Sequence, residues 1–173
     1  MVSPVLKYIE RLAESAGSAV YTAFFAERDN QGIEMKSDAS PITVADRRVH
    51  DYLIEQIGKD FGIPLICEEG GVGKRSGEPD ELWFCIDEVD GTFALTAGIP
   101  TSMPMIALMG GSQPLICAMY DPFLKRLYSA ERGKGAHCNG KPLRTEGALG
   151  RKIVGISMWP KRDGGGGSGN MLI

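Results

Sequence analysis

No apolar run in the sequence approaches the roughly 20 residues that span a bilayer as a helix, so no membrane partner is expected. The start lacks a secretory pattern as well, because Lys7, Glu10, Arg11 and Glu14 break up any apolar stretch. Excess positive charge is missing: 19 Lys and Arg stand against 22 Asp and Glu, for a net charge of −3. That balance excludes a nucleic-acid polymer held on a basic surface. An acidic chain that takes a phosphorylated substrate needs metal ions or a local basic patch to offset repulsion. The four cysteines, Cys67, Cys85, Cys117 and Cys138, form no CxxC pair, which argues against a disulfide framework or a zinc site. Three of them lie in apolar, strand-like runs, where cysteine serves as a small buried hydrophobe. A reducing, cytoplasmic location is expected.

What is present suffices for one domain with a substantial core: 173 residues, of which 43% are hydrophobic and 24% charged. Ser3 suits a helix N-cap and Pro4 the first helical position, and Val5, Ile9, Leu12, Ala16, Val20 and Ala23 recur at helical spacing. Asp29 to Gly32 ends that helix. After the polar stretch from Lys36 to Pro41, a second helix carries Val49, Leu53 and Ile57 on one face. Thr43 and Asp46 have the spacing of a capping box at its start.

Strand signals begin near residue 63. Ile63 to Cys67 and Leu82 to Ile86 read as buried strands, and the glycine-rich stretch Glu69 to Pro79 between them reads as a mobile surface loop. Ile106 to Met109, Pro114 to Tyr120 and Arg126 to Ala130 resemble a meander, with Asn139-Gly140 as a hairpin turn. A last strand-like piece runs from Lys152 to Met158. Helices first and largely antiparallel strands after them give an α+β, or layered α/β, class. The run Gly164 to Gly169 satisfies GxGxxG, but no helix can follow it, so a nucleotide-binding reading is discarded.

The chemistry-bearing pattern is acidic. Glu68 and Glu69 close one apolar run, and Asp87 and Asp90 close the next, within Ile86-Asp87-Glu88-Val89-Asp90-Gly91-Thr92. Carboxylates at the tips of neighbouring strands converge on one sheet edge, where they repel each other unless cations sit among them. Hard oxygen donors suit Mg²⁺, or Mn²⁺, rather than zinc. Gly91 lets the backbone approach a phosphate closely, and Thr92 stands where a hydroxyl could orient a water.

Asp87 to Thr92 resembles the DPxDGT element of the inositol monophosphatase family of lithium-sensitive phosphatases. Glu68-Glu69 resembles its GEE element. Lys36 with Ser40-Pro41-Ile42-Thr43-Val44-Ala45-Asp46 resembles its lysine and PxTxAD segment, and Arg132 to Leu143 its GxGAxxNG hairpin. The resemblance implies a layered sugar-phosphatase sandwich in which two long helices pack on a largely antiparallel sheet. It assigns residues 1–150 to an N-terminal metal-binding lobe and 151–173 to the start of a second lobe with a flexible Gly-rich tail, the rest of the C-terminal lobe being absent. It implies Mg²⁺-dependent hydrolysis of a small phosphorylated alcohol, inositol monophosphate-like, with Li⁺ inhibitory and a homodimer as the assembly. Histidinol phosphate, a sugar bisphosphate or a 3′-phosphonucleotide are alternative substrates, and a non-catalytic metal-binding lobe is the alternative outside catalysis.

The implied roles are specific. Glu68, Asp87, Asp90 and the Val89 carbonyl would hold two metals. Glu68 would also help position the water that the Thr92–Asp46 pair activates. The Gly91 and Thr92 amides would hold the phosphate. His50 and His137 are read as structural. Glu88 departs from the family's proline: in an extended segment it faces away from the metals, and turned inward it would add negative charge at the phosphate site. The family's later WDxAA-type motif has no counterpart after Trp159.

Overall fold

Local signals set both long helices in the computed structural model, which describes residues 3–26, 32–37 and 40–144. Helix α1 is Pro4–Phe25, and the Ser3 side chain accepts a hydrogen bond from the Leu6 amide at 3.2 Å. Helix α2 is Val44–Asp60, opened by a complete capping box between Thr43 and Asp46. Each such cap stabilises its helix by about 1 kcal/mol, because it satisfies amides that have no partner within the first turn.

Residues after α2 form a seven-stranded sheet whose spatial order follows the chain: β3 (Leu65–Cys67), β4 (Leu82–Asp90), β5 (Met103–Gly110), β6 (Gln113–Asp121), β7 (Arg126–Glu131), β8 (Gly135–Cys138) and β9 (Lys141–Pro142). From β4 onward every pairing is antiparallel; residues 91–102 connect β4 to β5, and short turns join the strands after it. Asn139 (φ 48°) and Gly140 (φ 73°) make the β8–β9 turn, as the Asn-Gly signal predicts. The β3–β4 pair alone is parallel, and residues 68–81 supply the long return that a parallel pairing requires. That stretch is anchored along its length. Leu65 and Val72 exchange backbone hydrogen bonds at 2.9 Å, and the Arg75 guanidinium stacks 4.3 Å from the Trp83 ring.

Before α2, a short ladder pairs β1 (Glu34–Met35) with β2 (Pro41–Ile42) and brings Lys36 toward the sheet edge. Both long helices cover one sheet face. Ile9, Leu12, Val20, Val49, Leu53 and Ile57 pack there against Phe84, Ile86, Ile106 and Ala118. Burying a side chain such as Phe84 or Leu53 completely contributes roughly 1.5–3 kcal/mol. Close approach depends on Gly17, where an added Cβ would fall 2.5 Å from Tyr120 Cδ1.

The result is the α+β layering expected from the sequence: two helices on a largely antiparallel sheet. The chain divides into two units, Met1–Leu143 and Arg144–Ile173. The strand expected at 152–158 and the glycine-rich tail lie outside the described residues.

Candidate functional site

The parallel pairing places the acidic residues together. Cys67 is registered with Ile86, and the Glu68 amide donates to the Ile86 carbonyl at 3.2 Å. Glu68 therefore stands beside Asp87, close enough for its charge to act on the Asp87 carboxyl. Asp90 lies beyond a register shift between Asp87 and Asp90, and its influence on Asp87 is through charge alone. Burial first, then the charges of Glu68 and Asp90, push the Asp87 carboxyl up to about 7. Asp87 Oδ1 is buried and has no hydrogen-bond partner. Asp90 is pushed up too, by burial and then by Glu68.

One cation already answers this negative field. Lys36 Nζ lies 3.0 Å from Glu68 Oε1 and 2.6 Å from Glu69 Oε1. Burial works against the ammonium, but its hydrogen bonds to Glu69 and Glu68 prevail and hold its pKa above the ordinary lysine value. Glu69, well buried, is itself pushed up by burial, with Lys36 opposing.

Asp46 connects this cluster to Thr92. Its Oδ2 accepts from the Thr43 amide at 2.7 Å and from the Thr43 hydroxyl, so the capping box fixes the carboxylate. The other oxygen, Oδ1, faces Thr92 Oγ1 at 3.0 Å, while the Val89 carbonyl also lies 2.9 Å from that hydroxyl. Thr92 opens the short helix α3 (Thr92–Thr96), and Gly91 caps it with φ 81°, a left-handed conformation that favours glycine. Ser102, fully buried, donates its hydroxyl to the Gly91 carbonyl at 2.8 Å and so fixes the turn. A single serine in a turn gave no sequence signal for that role.

Glu88 points elsewhere. Strand β4 runs through Asp90, so alternation sends Glu88 to the face of Phe84 and Ile86, away from Asp87. It is 1% exposed, and its Oε1 lies 2.7 Å from His50 Nδ1. His50, read from the sequence as lacking any ligand-like pair, thus has a partner 38 residues away. Ligand atoms of His50, Cys67 and Glu88 all lie within 4.8 Å of one another. Among the described residues this is the triplet of His, Cys, Asp or Glu drawn to that spacing; Glu68, Asp87 and Asp90 do not form another.

The Asp87 environment predicts a pH dependence. Its folded pKa is raised above the unfolded value, so the stability it confers is full below about pH 4 and is lost as pH rises through about 7. In metal-free buffer, the melting temperature of Asp87→Asn should therefore rise relative to the unsubstituted chain between pH 4 and pH 8. A difference that stays constant over that range would contradict the assigned environment.

A model of the inositol monophosphatase family matches residues 1–162. The inositol-1-monophosphatase of Mesorhizobium japonicum is 29% identical over 172 residues, covering 99% of this chain and 64% of that protein. A histidinol-phosphatase of Chlorobaculum parvum is 32% identical over 146 residues, covering 82% of this chain and 53% of its own length. Among solved structures, the extragenic suppressor protein SuhB of Bartonella henselae is similar with a TM-score of 0.74 at 27% identity, over 82% of this chain and 54% of the other. The chain spans between about half and two thirds of the length of these relatives.

Proposed function

The chain belongs to the inositol monophosphatase family, and on that premise we propose that it serves Mg²⁺-dependent hydrolysis of a small phosphorylated alcohol. The observation that carries this reading is Asp87: a half-buried carboxylate whose Oδ1 is buried and unpartnered, flanked by Glu68 and Asp90. A group so placed calls for a cation, and the donors around it are oxygens, the set that suits Mg²⁺ or Mn²⁺. Glu68, Asp87, Asp90 and the Val89 carbonyl would hold the metal. Bound there, a divalent ion would lower the pKa of a water and offset the charge of the phosphoryl group.

The chain's own residues supply the rest. One hydroxyl hydrogen on Thr92 can serve either Asp46 or the Val89 carbonyl. When it is directed at Asp46, the Thr92 oxygen keeps its lone pairs free to accept a proton from a neighbouring water. Asp46 is suited to receive that charge because the capping box fixes its orientation. Gly91, turned by its positive φ and held by Ser102, leaves the Gly91 and Thr92 amides at the start of α3 to hold phosphate oxygens. Lys36 is the nearby cation that could follow a shift of charge from the carboxylates to a bound anion.

Two relatives carry the names of different phosphatases, one for inositol 1-phosphate and one for histidinol phosphate. The alcohol portion is therefore left as a class, with inositol monophosphate as the leading member. Phosphate release should be measured from several phosphomonoesters with saturating Mg²⁺ and again with chelator. Chelator-sensitive release from at least one of them is expected, and release indifferent to metal would overturn the reading.

A further inference from the structure

We propose that His50, Cys67 and Glu88 form a second metal site, separate from the acidic cluster, that takes Zn²⁺ or a similar borderline transition-metal ion. The three come from α2, the end of β3 and the last pleat of β4, two residues before its end, and their ligand atoms already lie within 4.8 Å of one another. A tetrahedral zinc holds nitrogen, sulfur and oxygen ligands roughly 3–4 Å apart, as its bond lengths of about 2.0–2.3 Å require. The His50–Glu88 separation of 2.7 Å and the outer limit of 4.8 Å bracket that range, so modest side-chain movement completes the site.

Glu88 supplies an independent observation. It is 1% exposed, and although Oε1 meets His50, Oε2 is buried without any partner. Buried carboxylates rarely leave an oxygen unsatisfied, and an ion between Glu88, His50 and Cys67 would satisfy it. A water, or that second oxygen, would complete four-fold coordination.

Donor chemistry selects the ion. An imidazole, a thiolate and a carboxylate suit zinc or cobalt, whereas Mg²⁺ prefers oxygen alone. A divalent ion with one thiolate and one carboxylate is charge-neutral, which a buried setting favours. On binding, the Cys67 thiol proton passes to solvent and His50 presents an unprotonated ring nitrogen.

Position gives the site its consequence. Cys67 precedes Glu68, Glu88 lies between Asp87 and Val89, and His50 is one helical turn after Asp46. An ion here would clamp, from the helix-covered side of β4, the three segments that carry the acidic cluster and the Thr92–Asp46 pair. The clamp does not rest on the hydrolytic reading and would act even in a chain without turnover.

Cobalt(II) offers the test, because thiolate ligation produces a charge-transfer band and tetrahedral geometry intensifies the visible bands. The chelator-stripped chain should be titrated with Co²⁺ in excess Mg²⁺, which occupies oxygen-only sites. About one equivalent should develop a thiolate band, and Zn²⁺ should abolish it while raising the melting temperature. Cys67→Ser should lose the band, His50→Gln should weaken Co²⁺ affinity by more than about 10-fold, and Cys138→Ser should retain both. Circular dichroism of Cys67→Ser, a near-isosteric change at a half-buried position, separates a lost ligand from a lost fold, and His50→Gln reads the same site without touching a thiol. Absence of a thiolate band, or a band that survives in folded Cys67→Ser, overturns the proposal.

Discussion

Asp87→Asn is expected to abolish phosphomonoester turnover while leaving the fold intact. The substitution preserves shape. The asparagine amide can donate toward the neighbouring Glu68 carboxylate, and its carbonyl can take the place of the unpartnered Oδ1. The change therefore removes charge rather than packing, and in metal-free protein it relieves repulsion with Glu68 and Asp90. What it removes is the anionic oxygen around which a cation would gather. Losing one well-placed electrostatic group commonly reduces rate by about 10²–10³, and losing a shared metal ligand should exceed that. A second readout needs no turnover: Mg²⁺ should raise the melting temperature of the unsubstituted chain, and the rise should vanish in Asp87→Asn. Near-normal turnover together with an undiminished Mg²⁺ shift would remove Asp87 from the site.

Thr92→Val should be nearly as severe for a different reason. Valine matches the shape of threonine but deletes the hydroxyl between Asp46 Oδ1 and the Val89 carbonyl. The buried Asp46 oxygen then lacks a donor, which costs about 1–3 kcal/mol of stability. If Thr92 relays the proton from water to Asp46, turnover should fall by about 10²–10⁴, the range typical of general acid–base groups. Thr92→Ser keeps the hydroxyl and should recover most of the activity. Should valine and serine at this position lose rate equally, the residue's contribution would be packing rather than proton transfer.

Much of the framework was legible because its signals are local. Ser3 and Thr43 cap their helices within three residues, and Asn139-Gly140 turns its hairpin within two. The approach of Glu68 to Asp87 was legible for a related reason: each closes an apolar run, so placing two strands side by side brings their ends together. The two-residue β1–β2 ladder was not legible, since so short a pairing leaves no periodic trace. Strand β4 extends four residues past Ile86 because Asp87, Glu88 and Asp90 look like loop residues until the sheet and α2 supply partners. The contacts of His50, read from the sequence as structural, were not legible for the same reason. Its partners Cys67 and Glu88 are set by how α2 lies on β3 and β4, and spacing rules for metal ligands detect only neighbours in sequence.

Strand β4 carries unlike acids on its two sides, and this constrains how the strand can be laid down. A slip of one residue against β3 or β5 would exchange the faces of Asp87 and Glu88. Asp87 would then be pressed beneath α2, too short to reproduce the reach of Glu88 to His50, and Glu88 would crowd against Glu68 at the end of β3. Each error strands a charge away from its partner, so the misaligned sheet is penalised twice. The pair of acids thus acts as a proofreading key during folding, admitting one alignment of the central strand and rejecting its nearest competitors.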